Sequence, residues 1–223
     1  MAYISGDSKQ IIVGAAALFV GAAGGELNPG DLPDFVAGEG YAETLSGTPV
    51  VRNVGYTTNG LEIQFQPDFG EVQVDQTLDA AKMFKQGMSV TLRTAFAEAT
   101  LKNLLVAIAA GEGDLTTSSA ASSPTDATGG STEATILDIT SGRLGECPLE
   151  RGIVAVGPGT GDCTAANGKE RIYVAFRALS MDSVTVSAKR DSASTFEVSF
   201  RLLPNGVGSY GRIVDRVVGT TLP

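Results

Sequence analysis

The chain has 223 residues, 43% of them hydrophobic and only 18% charged, with 28 glycines and a formal charge of −9. This length suits one large β domain or two small ones, the apolar fraction excludes wholesale disorder, and the glycine content suits many strands joined by turns. With no histidine, Ser-His and Cys-His pairs, His-ligated zinc and imidazole acid–base relays are excluded, and Cys147 and Cys163 are too few for a four-cysteine zinc site.

Residues 11–23 form the most apolar run, shorter than the ~20 residues that span a bilayer and diluted with Gly and Ala. Lys9 before it and small residues after it give it some signal-peptide character, which Asp7 spoils, so a buried strand of the mature protein is expected. Residues 24–49 mix Gly, Pro and acids without a period and read as a long exposed loop. A strand is expected over 50–56. Next, Leu61, Ile63 and Phe65 alternate with Glu62, Gln64 and Gln66, and Val72 and Val74 alternate with Glu71, Gln73 and Asp75. The two runs predict a hairpin with one buried and one polar face, turning near residues 67–70. Met88, Val90 and Leu92 against Ser89, Thr91 and Arg93 predict another strand.

The period then changes. Ala97, Leu101, Leu104, Leu105 and Ile108 fall at helical spacing and predict one amphipathic helix over 95–110, packed by that stripe, with Thr94 as N-cap, Glu98 in the first turns and Gly111 as terminator. Residues 116–132 hold ten Ser or Thr in seventeen, the composition of a flexible excursion. Further strands are expected at 135–139, 152–156, 172–179, 184–188, 195–203 and 210–218, with no short repeat. Neither half alone has enough strands for a closed sandwich. The expectation is one domain, 1–223, mainly β as a sandwich or barrel with one flanking helix, a long loop at 24–49 and a Ser/Thr-rich excursion at 112–133.

Charge is uneven. Residues 10–81 hold ten acids and a single base, Arg52, whereas 82–223 balance fourteen against fourteen. No cationic cluster is dense enough to neutralise a run of phosphates, so specific nucleic-acid binding is disfavoured. Diffuse negative charge by itself signifies only solubility.

Candidate chemistry is sparse. Residues 156–164 (VGPGTGDCT) loosely match a phosphate loop, but Asp162 stands where the essential Lys belongs and would repel phosphate. No Asp-Thr-Gly or Asp-Ser-Gly triplet occurs, Glu71, Asp75 and Asp79 are ordinary exposed positions by alternation, and Asp31 and Asp34 lack calcium-loop spacing. The two cysteines can close one short loop, although reduced thiols are the default for a cytosolic product. No enzymatic activity, cofactor or metal is expected.

One stretch is more specific. From Val54 to Ala109 the order of Gly55-Tyr56-Thr57-Thr58, the acidic Glu71 to Gln76 segment, Met88 to Arg93 and the Thr94 to Leu105 segment TAFAEATLKNLL closely resembles major tail tube proteins of long-tailed, non-contractile bacteriophages. The segments RIYVAFRA (171–178), FEVSFRLLP (196–204) and YGRIVD (210–215) resemble that family's closing strands, so the likeness covers about two thirds of the chain.

The resemblance implies six copies forming a ring, rings stacking into the tail tube that conducts phage DNA, and long hairpins joining edge to edge around the lumen. It implies as partners the tape measure protein and genome passing through, a tail terminator and baseplate or tip proteins, with assembly in the host cytoplasm, residence in the virion tail and no membrane. By alternation alone Glu62, Gln64, Gln66, Glu71, Gln73 and Asp75 make an ordinary solvent face; the resemblance implies that this face lines the lumen. Two alternatives stay open: another tail component of the same fold, such as the tube's end cap or the inner tube of a contractile tail, and a β-rich virion surface or adhesin module.

Overall fold

The computed structural model describes residues 10–22, 24, 27, 51–76, 78–118, 134–141, 144–145, 147–160, 169–186, 190–191 and 193–217, together with the backbone of three two-residue strands between 35 and 45. In chain order the strands are β1 (Ala17–Gly21), β2 (Phe35–Val36), β3 (Gly40–Tyr41), β4 (Thr44–Leu45), β5 (Val51–Asn53), β6 (Thr57–Val72) and β7 (Lys82–Phe96). The helix α1 (Leu101–Ala107) follows, then β8 (Leu115–Ser118), β9 (Ala134–Leu137), β10 (Arg151–Pro158), β11 (Lys169–Ser180), β12 (Phe196–Leu203) and β13 (Gly211–Val217). The protein is therefore mainly β, with one short α-helix among the described residues, as its composition and alternation predict.

An antiparallel sheet runs in the order β4-β5-β1-β10-β11-β12-β7-β6, with β13 attached to β11. One edge of β11 pairs with β10, while the other is divided between β13, over Lys169–Ala175, and β12, over Arg177–Ser180. The sheet forks at that division, and both limbs contribute to one core. Leu18, Val20, Ile153, Ala155, Ala175 and Ala178 meet Val90, Leu92 and Phe96 of β7, Phe196, Val198, Phe200 and Leu202 of β12, and Leu105, Val106 and Ala107 of α1, in a sandwich-like arrangement.

The opposite face of the β1-β10-β11 limb carries Phe19, Val154, Val156, Ile172, Val174 and Phe176, joined by Val51 and Leu27. Two opposed apolar layers follow from the two-residue period of a strand whose both faces are covered. Glu170 shares the parity of Ile172 and Val174, so its carboxylate enters this second layer; Arg216, directly opposite in the ladder, forms a buried ion pair with it.

Local expectations are corrected in several places. The hairpin does not turn at residues 67–70: β6 continues through them to Val72, and the turn occupies 73–81, closed by the Ala81 amide donating to the Val72 carbonyl at 2.9 Å. A proline is tolerated within β6 because among the described residues that strand is the sheet edge, where a missing amide donor need not interrupt a ladder on both sides. The segment 24–49 is not simply an exposed loop. Leu27 is buried, its amide donates to the Phe176 carbonyl at 3.2 Å, and β2–β3 and β4–β5 pair within or next to the segment.

The ends of the 112–133 excursion are ordered as a 3-10 turn (Glu112–Asp114) and the β8–β9 ladder; residues 119–133 lie outside the described ones. Residues 184–186 are not a strand but part of the β11–β12 connection, from which Val184 packs on the core. Residues 187–188 of that expected strand lie outside the described ones.

The helix is shorter than expected. Residues 94–96 belong to β7, paired with Phe196–Val198, and the Thr94 hydroxyl donates to the Gly60 carbonyl at 2.9 Å instead of capping a helix. Thr100 is the N-cap, its hydroxyl accepting from the Asn103 amide at 3.2 Å. Glu98 is likewise outside the helix and accepts from the Tyr56 amide at 2.9 Å. Ile108 is the C-cap, so the helix stops before Gly111. Of the expected packing stripe, Leu105 is buried and Leu104 packs partly on the core, Leu101 and Ile108 are exposed, and Ala97 precedes the helix. Asn103, Val106 and Ala107 complete the buried face.

Candidate functional site

The feature that asks for a partner is the β6–β7 hairpin. Among the described residues β12 pairs with β7 only as far as Val90, so from Ser89 to Lys82 the backbone of β7 pairs with β6 alone, and β6 has no strand on its other edge over its 16 residues. A two-stranded ribbon in water is marginally stable by itself, and an open edge is a template for another strand. Two irregularities shape the arm. Asn59 and Gly60 adopt positive φ (63° and 69°) where three residues of β6 pass a single residue of β7, and the ladder shifts again between Asp68 and Phe69, where Gln86 is the extra residue. Gly70 has no side chain to obstruct Gln86 and Phe84, whose atoms approach to 2.4 and 2.8 Å of where its Cβ would be.

The second bulge changes which residues share a face. Beyond it Phe69 lies opposite Lys85 and Glu71 opposite Met83, on the side of Ile63 and Phe65 that continues from the core. Phe69 and Met83 are 53% and 59% exposed there, so the apolar stripe of β6 runs past the end of the core into solvent. The alternation Phe65, Pro67, Phe69 carried this signal in the sequence, but Pro67 and Gly70 had suggested a turn.

The expected polar face is brought together only in part. Glu62, Gln64 and Gln66 lie side by side, exposed, opposite Arg93, Thr91 and Ser89. Glu71 falls on the other face by strand parity, and Gln73 and Asp75 sit in the turn, all three exposed. The six do not share one face, because the strand continues where a turn was expected and the acidic residues beyond it no longer align. Nor is the face free of cations, since β7 sets Arg93 directly opposite Glu62.

The other polar groups are structural in their partners. Arg52 donates from Nη1 to Asn103 Oδ1 and from Nη2 to the Lys102 carbonyl, each at 2.8 Å, and Asn103 Nδ2 donates to the carbonyls of Val54 and Glu98 at 2.8 and 2.9 Å. Burial, and then the neighbouring Arg151 charge, lower the Arg52 pKa from its ordinary value, while Glu112 opposes that shift. Arg151 in turn binds Glu112, the Ala110 carbonyl at 2.6 Å and the Gly21 carbonyl at 3.3 Å, tying the end of the helical segment to β1 and β10.

Arg171 grips Asp215 with two hydrogen bonds of 2.5 and 2.6 Å across β11 and β13, and these hold the Asp215 carboxyl below its usual range. Arg177 donates two hydrogen bonds to the Glu150 carboxylate, at 2.5 and 2.9 Å, and reaches the Pro204 carbonyl at 2.8 Å.

Among the described residues no three His, Cys, Asp or Glu side chains are grouped to hold a metal, and no helix is long and apolar enough to cross a membrane. Cys147 is exposed and free, whereas Cys163 and residues 161–168 of the glycine-rich stretch lie outside the described ones. Asp31 and Asp34 also lie outside. Comparison with protein-family models and with curated proteins returns no match in either case.

Proposed function

We propose that this chain is a structural subunit that assembles with copies of itself into hexameric rings stacked into a hollow tube, the tail tube of a long-tailed, non-contractile bacteriophage, through which DNA is ejected. The observation that carries the reading is the projecting hairpin with its open 16-residue edge and an apolar stripe continuing beyond the core. Strand addition from a neighbouring copy would satisfy the edge and cover the stripe together, and repetition around a ring leaves no free edge. The resemblance of residues 54–109 and of the closing strands to tail tube proteins supplies the ring, the tube and the DNA.

In this assembly Glu62, Gln64 and Gln66, with Thr91, Ser89 and Arg93 opposite, face the lumen. Such a wall is amide, hydroxyl and balanced charge, so it gives a moving duplex no array of cations with which to exchange counterions. Tape measure protein, tail terminator and tip proteins are the partners of that role, which is neither enzymatic nor membrane-bound.

Analytical ultracentrifugation at high concentration, with negative-stain microscopy of the same samples, tests the assembly. Six-fold rings and stacked tubes are the expected result. A chain that stays monomeric at high concentration and forms no ring in lysates or virions overturns it.

A further inference from the structure

A groove of about 350 Å³ opens at the base of the arm, between β6–β7 and β13. Ile63, Phe65, Met88, Tyr173, Tyr210 and Ile213 give it an apolar floor, and the Tyr210 hydroxyl, donating to the Met88 carbonyl at 2.6 Å, joins its walls. Among the described residues its charged lining is two cations, Lys85 and Arg212, with no acid. Lys85 Nζ approaches the Met88 sulfur at 3.6 Å, and neither cation has a carboxylate partner among the described residues.

The far end of the arm has the opposite character. The turn 73–81 contains two acids, Asp75 and Asp79, and no base, and it presents Val74 and a fully exposed Leu78 to solvent. Val72, where the turn begins, is seven strand residues beyond Phe65, roughly 23 Å at ~3.3 Å per residue. A β-ribbon cannot bend back over that distance, so the turn does not reach the groove of its own chain.

We propose that the arm tip of one copy docks in the groove of the next, with Leu78 and Val74 on the apolar floor and Asp75 and Asp79 against Lys85 and Arg212. The inference rests on the self-assembly reading above and names a contact for it. Its basis is complementarity on two counts at once: apolar side chains meet an apolar floor of sufficient size, and a doubly acidic tip meets a doubly basic rim. Tip and groove are different surfaces of one chain, so the contact is heterologous and propagates from copy to copy, closing a ring or extending a filament. Association brings each cation a carboxylate while the apolar surfaces leave water.

Charge reversal of exposed residues tests this without disturbing the core. Asp75→Lys with Asp79→Lys reverses the tip, and Lys85→Glu with Arg212→Glu reverses the groove. Sedimentation at matched concentration should show each double variant associating at least tenfold more weakly than the wild type. An equimolar mixture of the two should recover association, because every tip then finds a groove of opposite sign. Circular dichroism of each variant alone establishes that it is folded.

Recovery in the mixture, salt-sensitive as ion pairs require, supports the contact. Wild-type-like association of either folded variant, or weak association that mixing leaves unchanged, overturns it while leaving self-assembly intact. Failure of the wild type itself to associate overturns both.

Discussion

Single residues in this chain show how a local motif acquires a physical reason. Gly55, in the Gly-Tyr-Thr-Thr segment, has φ +83°, and a Cβ there would lie 2.1 Å from the Glu98 carboxylate that binds the next amide. The glycine allows the turn and the close approach of Glu98 at once. Ala109 is the contrary case. Its φ is 56°, and the Ala110 amide donates to Leu105 while the Ala109 amide donates to Val106, the paired bonds of a Schellman cap whose left-handed position is best filled by glycine. An L-residue there costs about 1 kcal/mol, so Ala109→Gly should raise stability by about that amount, and urea denaturation should show a higher midpoint with an unchanged slope. An equal or lower midpoint would mean that the Ala109 methyl makes a packing contribution that offsets the backbone term.

At the scale of elements, helix α1 shows where periodicity guides and where it misleads. The spacing of Leu101, Leu104, Leu105 and Ile108 correctly indicated a helix, but the expected start at Thr94 was too early. Pairing of Thr94–Phe96 with Phe196–Val198 decides for Thr100, because the strand already uses the first residues of the expected helix. The start moves six residues, and a two-turn helix then buries Asn103, Leu105, Val106 and Ala107.

Leu105→Asp should therefore cost several kcal/mol, through a carboxylate placed in the core, and leave the protein largely unfolded. Leu101→Asp, exposed in the first helical turn, should change stability by no more than about 0.5 kcal/mol. Thermal melts of the two variants check the contrast, and similar melting temperatures would place the helix the other way round. The same reasoning applies to the arm: Phe65, Pro67 and Phe69 kept the two-residue period, yet proline and glycine are stronger local signals of a turn than one more alternation is of a strand. Only an edge position makes a proline inside a strand acceptable, and edge position is a property of the sheet.

For the molecule as a whole, the fold separates a body that holds itself together from an arm on which that body does not depend. The core lies between the limbs that meet at β11, and the arm beyond Pro67 and Met88 adds little to it. Replacing residues 68–87 by Asn-Gly, the preferred two-residue hairpin turn, should leave the melting temperature within a few degrees and abolish rings and tubes. Light scattering and microscopy supply the readout. A shortened chain that still forms tubes would move the assembly surface to another edge, and one that unfolds would show that the arm stabilises the body.

The amino-acid sequence by itself determined the class of structure, because alternation at Leu61–Phe65, Met88–Leu92 and Phe196–Leu202 is local and each strand carries its own buried face. It also determined that histidine chemistry is unavailable, since that depends on composition alone. The limits of the hairpin, the short helix and the ordering of Leu27 were decided only by tertiary structure. So were the separation of Glu71 from Glu62 and the groove at Lys85 and Arg212. Each of these depends on residues far apart in the chain, on which strand supplies the partner, where a bulge shifts the parity and which edge is left open, and short-range preferences worth a few tenths of a kcal/mol yield to those pairings.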